Sequence, residues 1–503
     1  MSDAALFAAL PCRRQLAVTW GIPDRYGGMT AALLHRSRLF ARAGATVDVV
    51  TFDPRPDYPA VRALLEERGE LAGGVGLRNI YEDFRAGIRT SRTPPSGRAA
   101  TDFTGRPPDD VDTAATGSTR RWIDDGVVTR VEHLRVDGSL AVLEELPHPD
   151  APTRAVTAFD AHGRPTASWP SLRRFRFAWL DAVIAGEPTV AVVDSKVAAR
   201  SLQHYRRAHV TRIHLVHGAH HDGAGRLTAS RRELFEHLDR WDAVGFLTER
   251  QQAAAIAQLG DTGGLHVVHN AVTVPERMPE LPPDRLHGVI ACRLSSLKRV
   301  DHALEVIVRV RAGGVPVTAE IVGDGPARPR LEKEAVRLGL ADAVRFSGYL
   351  PNAAGHFARG AWTLLTSRSE GESLSLLEAM GSGCVPVAYD IPYGPAEVIR
   401  SGRTGHLVPD GDIDAAAAAL TALCGLGDDA YAAVRRNARR VAQGYSDEAV
   451  LARWAEVQQA AVDRHAETER RTRRSILRRA VGRAVRVSRG AVRALRGSTP
   501  HRR

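Results

Sequence analysis

Cysteine is scarce in this chain of 503 residues: there are four, Cys12, Cys292, Cys384 and Cys424, and no two are close in sequence. That scatter argues against a disulfide framework and a zinc site, and leaves the four as small reduced hydrophobes. Long apolar runs are missing as well. None is long enough to cross a bilayer, and the N-terminus lacks the charged start, apolar middle and small-residue cleavage site of a signal peptide, so the cytoplasm is the expected location. Most of the chain also lacks net charge. The total is +11, from 69 Lys and Arg against 58 Asp and Glu, but Arg464 to Arg503 alone hold 14 Arg and 2 Glu, a net of +12. Without them, positions 1–463 carry 55 basic and 56 acidic residues, a net of −1. The body is neutral and the tail carries the charge. Aromatic residues are absent from that tail and no recognition motif accompanies it, so nucleic acid is not an expected partner.

What the body does contain is a repeated rhythm of short apolar strand, polar or glycine-rich turn and amphipathic helix. That rhythm predicts an α/β fold with parallel sheets covered by helices. "LAVTW" (Leu16 to Trp20) reads as a buried strand, "MTAALLHRSRLFARAG" (Met29 to Gly44) as its returning helix, and "TVDVVTF" as the next strand. The rhythm breaks over 77–177, where period-two runs and turn signals at Asp137-Gly138 and His162-Gly163 predict a β-rich insertion. Its early part, rich in Pro, Gly, Ser and Thr, reads as a loop, and the Asp110-Val111-Asp112 triplet within it as solvated acids rather than a metal site. The expected organisation is a first Rossmann-like domain in two parts, 1–76 and 178–275, interrupted by the insertion. A proline-rich linker, a second Rossmann-like domain at 284–463 and the basic tail at 464–503 follow.

Candidate chemistry collects where strands end, because open α/β sheets bind ligands at the carboxyl ends of their strands. After the first strand lies "GIPDRYGG", where Gly27 and Gly28 would let backbone amides approach an anion. After the first strand of the second domain come Arg293 and Lys298, cations suited to a diphosphate or simply solvated. "VGDGP" (Val322 to Pro326) is a tight turn serving geometry, a ligand or both. In "SRSEGESLSLLEAMGSG", the strand "WTLLTS" is followed by a turn carrying Glu370 and then a helix carrying Glu378. The amides near Ser373, Leu374 and Ser375 would face a phosphate at the positive end of that helix. A carboxylate accepts from two hydroxyls at once, which suits Glu370 to a hexose and Glu378 to a ribose. Asp412-Ile413-Asp414 precedes an alanine-rich run and reads as a helix cap rather than a metal site.

Taken together, Gly27-Gly28, His217, "HNAV", Arg293 with Lys298, "VGDGP", Glu370-x7-Glu378 and "RTGHLVPDGD" resemble the retaining glycosyltransferases of family 4, which have the GT-B fold. The resemblance covers both α/β domains. "YGGMTAALLHRSRLF", "LRNIYEDFR" and "YDIPYGPAEVI" are similar to the subgroup of poly(glycerol-phosphate) α-glucosyltransferases of wall teichoic acid, which also carries a β-rich insertion. Similar insertions occur in glycosyltransferases acting on serine-rich adhesins.

The resemblance implies two Rossmann-like domains facing a cleft and a nucleotide-sugar donor, UDP-linked, used as substrate with no cofactor and no metal. It implies that Arg293 and Lys298 bind the diphosphate, that Glu378 holds the ribose, and that Glu370 and His217 contact the transferred sugar. Gly27 and Gly28 would bring amides to the phosphates, and Tyr349, in "GYL", would contact the base. The acceptor hydroxyl would attack from the leaving group's own face, with a donor phosphate oxygen taking its proton, so that no enzymic nucleophile is needed. Glu372 and Ser373 stand where many members have an apolar residue and glycine. The extra carboxylate would change the hydroxyl pattern favoured at the sugar or face solvent.

The implied acceptor is an anionic polyol-phosphate polymer such as poly(glycerol phosphate). The alternatives are a protein or lipid acceptor, or a non-catalytic binder of nucleotide-sugars and polyanions. The insertion is a candidate surface for homo-oligomerisation or acceptor binding. In the tail, Leu477, Val481, Ala484, Ala491 and Leu495 follow near-helical spacing apart from Arg479, Arg483, Arg486 and Arg493. This fits a basic amphipathic helix that places the protein at the inner face of the plasma membrane or gathers an anionic polymer, while Gly482 and Gly490 leave a disordered cationic segment open.

Overall fold

Strands buried on both faces belong in parallel sheets covered by helices, and the computed structural model of the chain contains two such sheets. It describes residues 10–90, 106–146, 155–221, 225–261, 263–277, 284–350 and 353–496, with the backbone alone at 353, 354 and 476–496. In the first domain seven parallel strands run in the spatial order Leu265–Val267, Ala243–Phe246, Val210–Val216, Thr189–Val193, Arg14–Val18, Thr46–Thr51 and Gly76–Asn79. In the second, six run in the order Val344–Gly348, Thr318–Val322, His287–Ala291, Trp362–Leu365, Val385–Asp390 and His406–Pro409. Val210–Val216 is buried at every position, with Arg212 and His214 among the buried residues.

The third sheet is antiparallel and follows the chain in order, from Asp110–Ala114 through Gly117–Asp124, Val127–Leu134, Leu140–Glu145 and Ala155–Phe159 to Pro165–Trp169. The hairpin turns fall at Asp137-Gly138 and His162-Gly163, as expected. Its extent differs from the expected 77–177. Gly76–Asn79 pairs in parallel with Thr46–Thr51 and so belongs to the first domain, and the helix Leu172–Ile184 leads back into it. Four residues offer too little pattern to separate a parallel edge strand from a β-rich module. Asp110 and Asp112 lie in a strand rather than a loop, and Asp110 is paired with Arg121 at 2.5 Å. The rest of that expected loop, 91–105, lies outside the described residues.

The antiparallel sheet does not build a separate core. Val142, Val156 and Trp169 pack with Ile80, Tyr81, Phe84 and Phe175 of the first domain. The buried Glu144 fastens this seam, accepting a hydrogen bond from the Tyr81 hydroxyl at 2.6 Å and lying 3.0 Å from His133 Nε2.

The C-terminal boundary also moves. One helix runs from Asp447 to Arg496, crossing the expected boundary at 464, and Val450, Leu451, Trp454, Val457 and Ala461 pack into the core of the first domain. Gln458 and Gln15 exchange buried side-chain hydrogen bonds at 2.9 and 3.1 Å. The last turns of the chain's body therefore complete the opposite domain, a long-range packing choice that helical spacing cannot reveal. The side chains that would make the tail amphipathic lie outside the described residues. Among the described residues no helix is long and apolar enough to cross a membrane, and no three His, Cys, Asp or Glu side chains are grouped to hold a metal.

Candidate active site

In the second domain, the loop bearing Arg293 is zipped to the "VGDGP" turn. Leu294 donates its amide to the Asp324 carbonyl at 3.0 Å, and Ala327 donates to the Leu294 carbonyl at 3.0 Å. The approach explains both glycines. Gly323 and Gly325 have φ of 143° and 158°, and a Cβ on them would lie 1.9 Å from the Cys292 oxygen and 2.3 Å from the Leu294 oxygen. Their first duty is geometric, holding the backbone that presents Arg293. Arg293 itself is exposed, and no ion pair engages it among the described residues. Asp324 reaches over the cleft to Arg25 of the first domain at 2.8 Å.

Lys298 ends a short helical turn, Ser296–Lys298, and its Nζ lies 2.6 Å from Glu370 Oε1, which also accepts from Ser367 Oγ at 2.6 Å. The two residues separated by the whole middle of the domain thus meet. Next to them stands Arg299, which sequence reasoning missed. It is buried, with φ 43°, donates to the carbonyls of Thr366 and Ser367 at 2.8 and 2.7 Å, and pairs with Asp410. It ties the Lys298 turn to the strand end that carries Glu370. An Arg beside a Lys in "LKRV" gave no hint of which cation would turn inward.

The helix Leu374–Gly381 begins at Ser373, whose side chain makes no capping hydrogen bond. The first amides are left for another acceptor, and Ser373 Oγ lies 3.4 Å from Ser375 Oγ beside them. Glu378 is half-buried, and no hydrogen bond engages its side chain among the described residues. Burial pushes its carboxyl up, and His35 of the facing domain opposes the shift. Tyr349 is exposed on the turn after Val344–Gly348.

From the first domain, Gly27 caps the helix Gly28–Arg42. A Cβ on Gly27 would meet nothing within 4 Å, whereas one on Gly28 would touch Leu374 Cδ1 at 3.4 Å, so this loop faces the start of the second-domain helix. His217, following Val210–Val216, places Nε2 2.8 Å from Asp194 Oδ1. Asp194 is held in a fork by Arg36 at 2.9 and 2.7 Å, and Arg36 lies over the Trp454 ring at 5.1 Å. Burial pushes the Asp194 carboxyl up, but Arg36 and the His217 hydrogen bond outweigh it and hold it at about 2. An ionised Asp194 fixes the His217 proton on Nε2 and leaves Nδ1 as the other functional nitrogen. Asp194 and Arg36 were also missed, although an acid directly after "TVAVV" was the available signal.

Glu372 corrects one expectation: it does not face solvent. Its side chain is 4 % exposed, and its oxygens sit 2.8 Å from His269 Nδ1 and from the Asn270 amide, both in the "HNAV" segment of the linker. Burial pushes the carboxyl up against the pull of His269.

Residues 286–425 match the family described as glycosyl transferases group 1. The chain is 32 % identical over 244 residues to an exopolysaccharide phosphotransferase of Streptomyces coelicolor, a match covering 46 % of this chain and 25 % of that protein. It therefore spans only a quarter of that relative's length. It is 21 % identical over 476 residues to the poly(ribitol-phosphate) α-N-acetylglucosaminyltransferase of Staphylococcus aureus, covering 85 % of this chain and 96 % of that one. Among solved structures, Staphylococcus aureus TarM in complex with fondaparinux, α-GlcNAc-glycerol and UDP superimposes with a TM-score of 0.71. That match has 19 % identity and covers 89 % of this chain and 99 % of that one. The chain has the GT-B fold, as its sequence suggested.

Proposed function

From a GT-B chain whose second domain matches the group 1 glycosyltransferases, we propose that this protein moves a hexose or N-acetylhexosamine from a UDP-sugar to a polyol-phosphate polymer of the teichoic-acid type. One juxtaposition carries the reading. The Lys298–Glu370 pair and the uncapped start of the helix that carries Glu378 belong to the second domain, Gly28 of the first domain lies against that helix start, and Gly371, beside Glu370, lies against Gly218, beside His217.

Cleaving a sugar–phosphate bond builds negative charge on the departing diphosphate. Two cations and a helix N-terminus already in place stabilise that charge without reorganising. Glu378, whose side chain meets no protein donor among the described residues, accepts from the two ribose hydroxyls. Glu370, fixed by Lys298 and Ser367, and His217 Nδ1, fixed by Asp194, meet hydroxyls of the transferred sugar from opposite walls. A donor phosphate oxygen takes the proton of the acceptor hydroxyl, so the new bond forms on the face the nucleotide leaves and configuration is retained. This account asks for no metal.

The test is a donor screen with UDP-glucose, UDP-N-acetylglucosamine and GDP-mannose, with and without chelator, and with poly(glycerol phosphate) or poly(ribitol phosphate). Transfer that persists in chelator, with the product anomer α by NMR, is the expected result. UDP binding without turnover of any donor would instead mark a non-catalytic binder. Glu378→Ala is expected to raise the donor KM about 10- to 100-fold with a smaller change in kcat, since two ribose hydrogen bonds to a charged acceptor are lost. Because burial raises the Glu378 pKa, donor affinity should fall as pH drops.

The helix that starts at Asp447 continues to Arg496 through the arginine-rich tail. We place that tail on an anionic membrane surface, where each cation contributes about 1 kcal/mol. Sedimentation with phosphatidylglycerol vesicles should be lost on deleting 476–503 and weakened by salt. Equal sedimentation of the truncated protein would sink the idea.

A further inference from the structure

The turn Glu370-Gly371-Glu372 touches three parts of the molecule with three consecutive residues. Glu370 is bonded to Lys298 in the second domain. Gly371 lies so close to the first domain that a Cβ on it would sit 2.4 Å from the Gly218 nitrogen, the residue after His217. Glu372 reaches the segment joining the domains, where it accepts from the Asn270 amide at 2.8 Å and lies 2.8 Å from His269 Nδ1. That nitrogen is also 2.9 Å from the Leu247 carbonyl. Both of its neighbours are acceptors, so Nδ1 carries the proton and bridges Glu372 to the strand-end loop of the first domain.

We propose that Glu372 is a positioning residue: it fastens the donor loop of the second domain to the interdomain segment and so sets the spacing across the cleft at which Glu370 and His217 meet one sugar.

Two domains joined by a linker move relative to one another unless something fixes them. Other contacts join the domains: Arg25 pairs with Asp324 and Glu397 accepts from the amides of Glu249 and Arg250 at 3.1 and 2.9 Å, all of them exposed, while the C-terminal helix packs on the first domain. Glu372 is the buried contact made by the donor loop itself, and removing it strands the buried Asn270 amide and the His269 proton together. Because Gly371 rests on Gly218, any slip at Glu372 is passed within one residue to the His217 loop. A displacement of about 1 Å at a reacting centre is enough to cost on the order of a hundredfold in rate. The inference rests on the proposed reading of Glu370 and His217 as sugar contacts.

The experiment compares full-length wild type, Glu372→Ala and the isosteric Glu372→Gln. It reads UDP affinity by calorimetry, kcat and KM for donor turnover, and amide hydrogen exchange in 247–250 and 269–272 by mass spectrometry. UDP affinity should stay within about threefold, because Arg293, Lys298 and Glu378 are untouched, while kcat falls about tenfold or more. Exchange at Asn270 should quicken, with Glu372→Gln intermediate because it keeps one acceptor for that amide. Unchanged kcat and exchange in Glu372→Ala would overturn the proposal, and so would UDP affinity and melting temperature falling together with kcat in both variants. Should the wild type turn over no donor, the enzymatic reading fails, and faster or unchanged exchange still decides whether Glu372 holds the domains.

Discussion

Lys298→Met is expected to lower the rate of donor turnover by about a hundredfold or more, with the fold intact. The substitution keeps the length and apolar stem of the side chain and removes only the cation. That cation lies 2.6 Å from Glu370, whose side chain is 9 % exposed, so two functions go at once. In the proposed reaction the leaving diphosphate loses a preorganised positive charge, and removing one such group typically costs two to three orders of magnitude in kcat. Glu370 loses its main fixing contact and keeps only Ser367, which leaves the carboxylate free to turn away from the sugar. Lys298→Arg should recover little, since a planar fork does not reproduce a point charge at one carboxylate oxygen. Single-turnover kinetics with saturating UDP-sugar would check the chemical step. A rise confined to KM would mean that Lys298 contributes to binding alone.

Asp194→Asn is expected to destabilise the first domain by about 3–5 kcal/mol, the usual cost of leaving one member of a buried ion pair without its partner. The Arg36 side chain is 6 % exposed and Asp194 is fully covered. The new amide would present its NH2 group to a guanidinium or to the His217 proton, with no acceptor to spare. The effect has a signed pH dependence. The folded-state pKa of Asp194, about 2, lies below its ordinary value of 3.8, so its contribution is complete above pH 4 and fades as pH falls towards 2. Urea midpoints of wild type and variant should therefore differ most near neutrality and converge in acid. A constant gap across pH 3 to 7 would show that shape, not charge, holds this site. The same variant should impair turnover, because the His217 tautomer is set by the carboxylate it faces.

Both effects rest on long-range pairs, and they mark where the sequence stopped being informative. Local pattern is enough for elements: the first strand, its returning helix and the strand after it, the hairpin turns at Asp137-Gly138 and His162-Gly163, and the Asp412 cap, whose carboxylate accepts from the Ala415 amide at 2.9 Å, could all be read from residue type and spacing. The two-domain α/β arrangement follows from the same rhythm. So does the meeting of Lys298 and Glu370, because strands in a parallel sheet all end on one side and their loops have nowhere else to go.

Which side chains would turn inward was another matter. Arg299 rather than Lys298 became the buried anchor, Asp194 and Arg36 closed behind His217, and Glu372 left the sugar side for His269 and Asn270. Each choice depends on the partner that removes the cost of burying a charge, and those partners lie tens to hundreds of residues away. The C-terminal helix shows the same limit: only packing decided that Trp454 and Gln458 would serve the first domain. The sequence by itself determined the elements and the two-domain α/β arrangement, and its motifs pointed by resemblance to the GT-B fold. The tertiary structure decided how the two walls are held in register, because burying a charge is favourable only where folding supplies its counterpart.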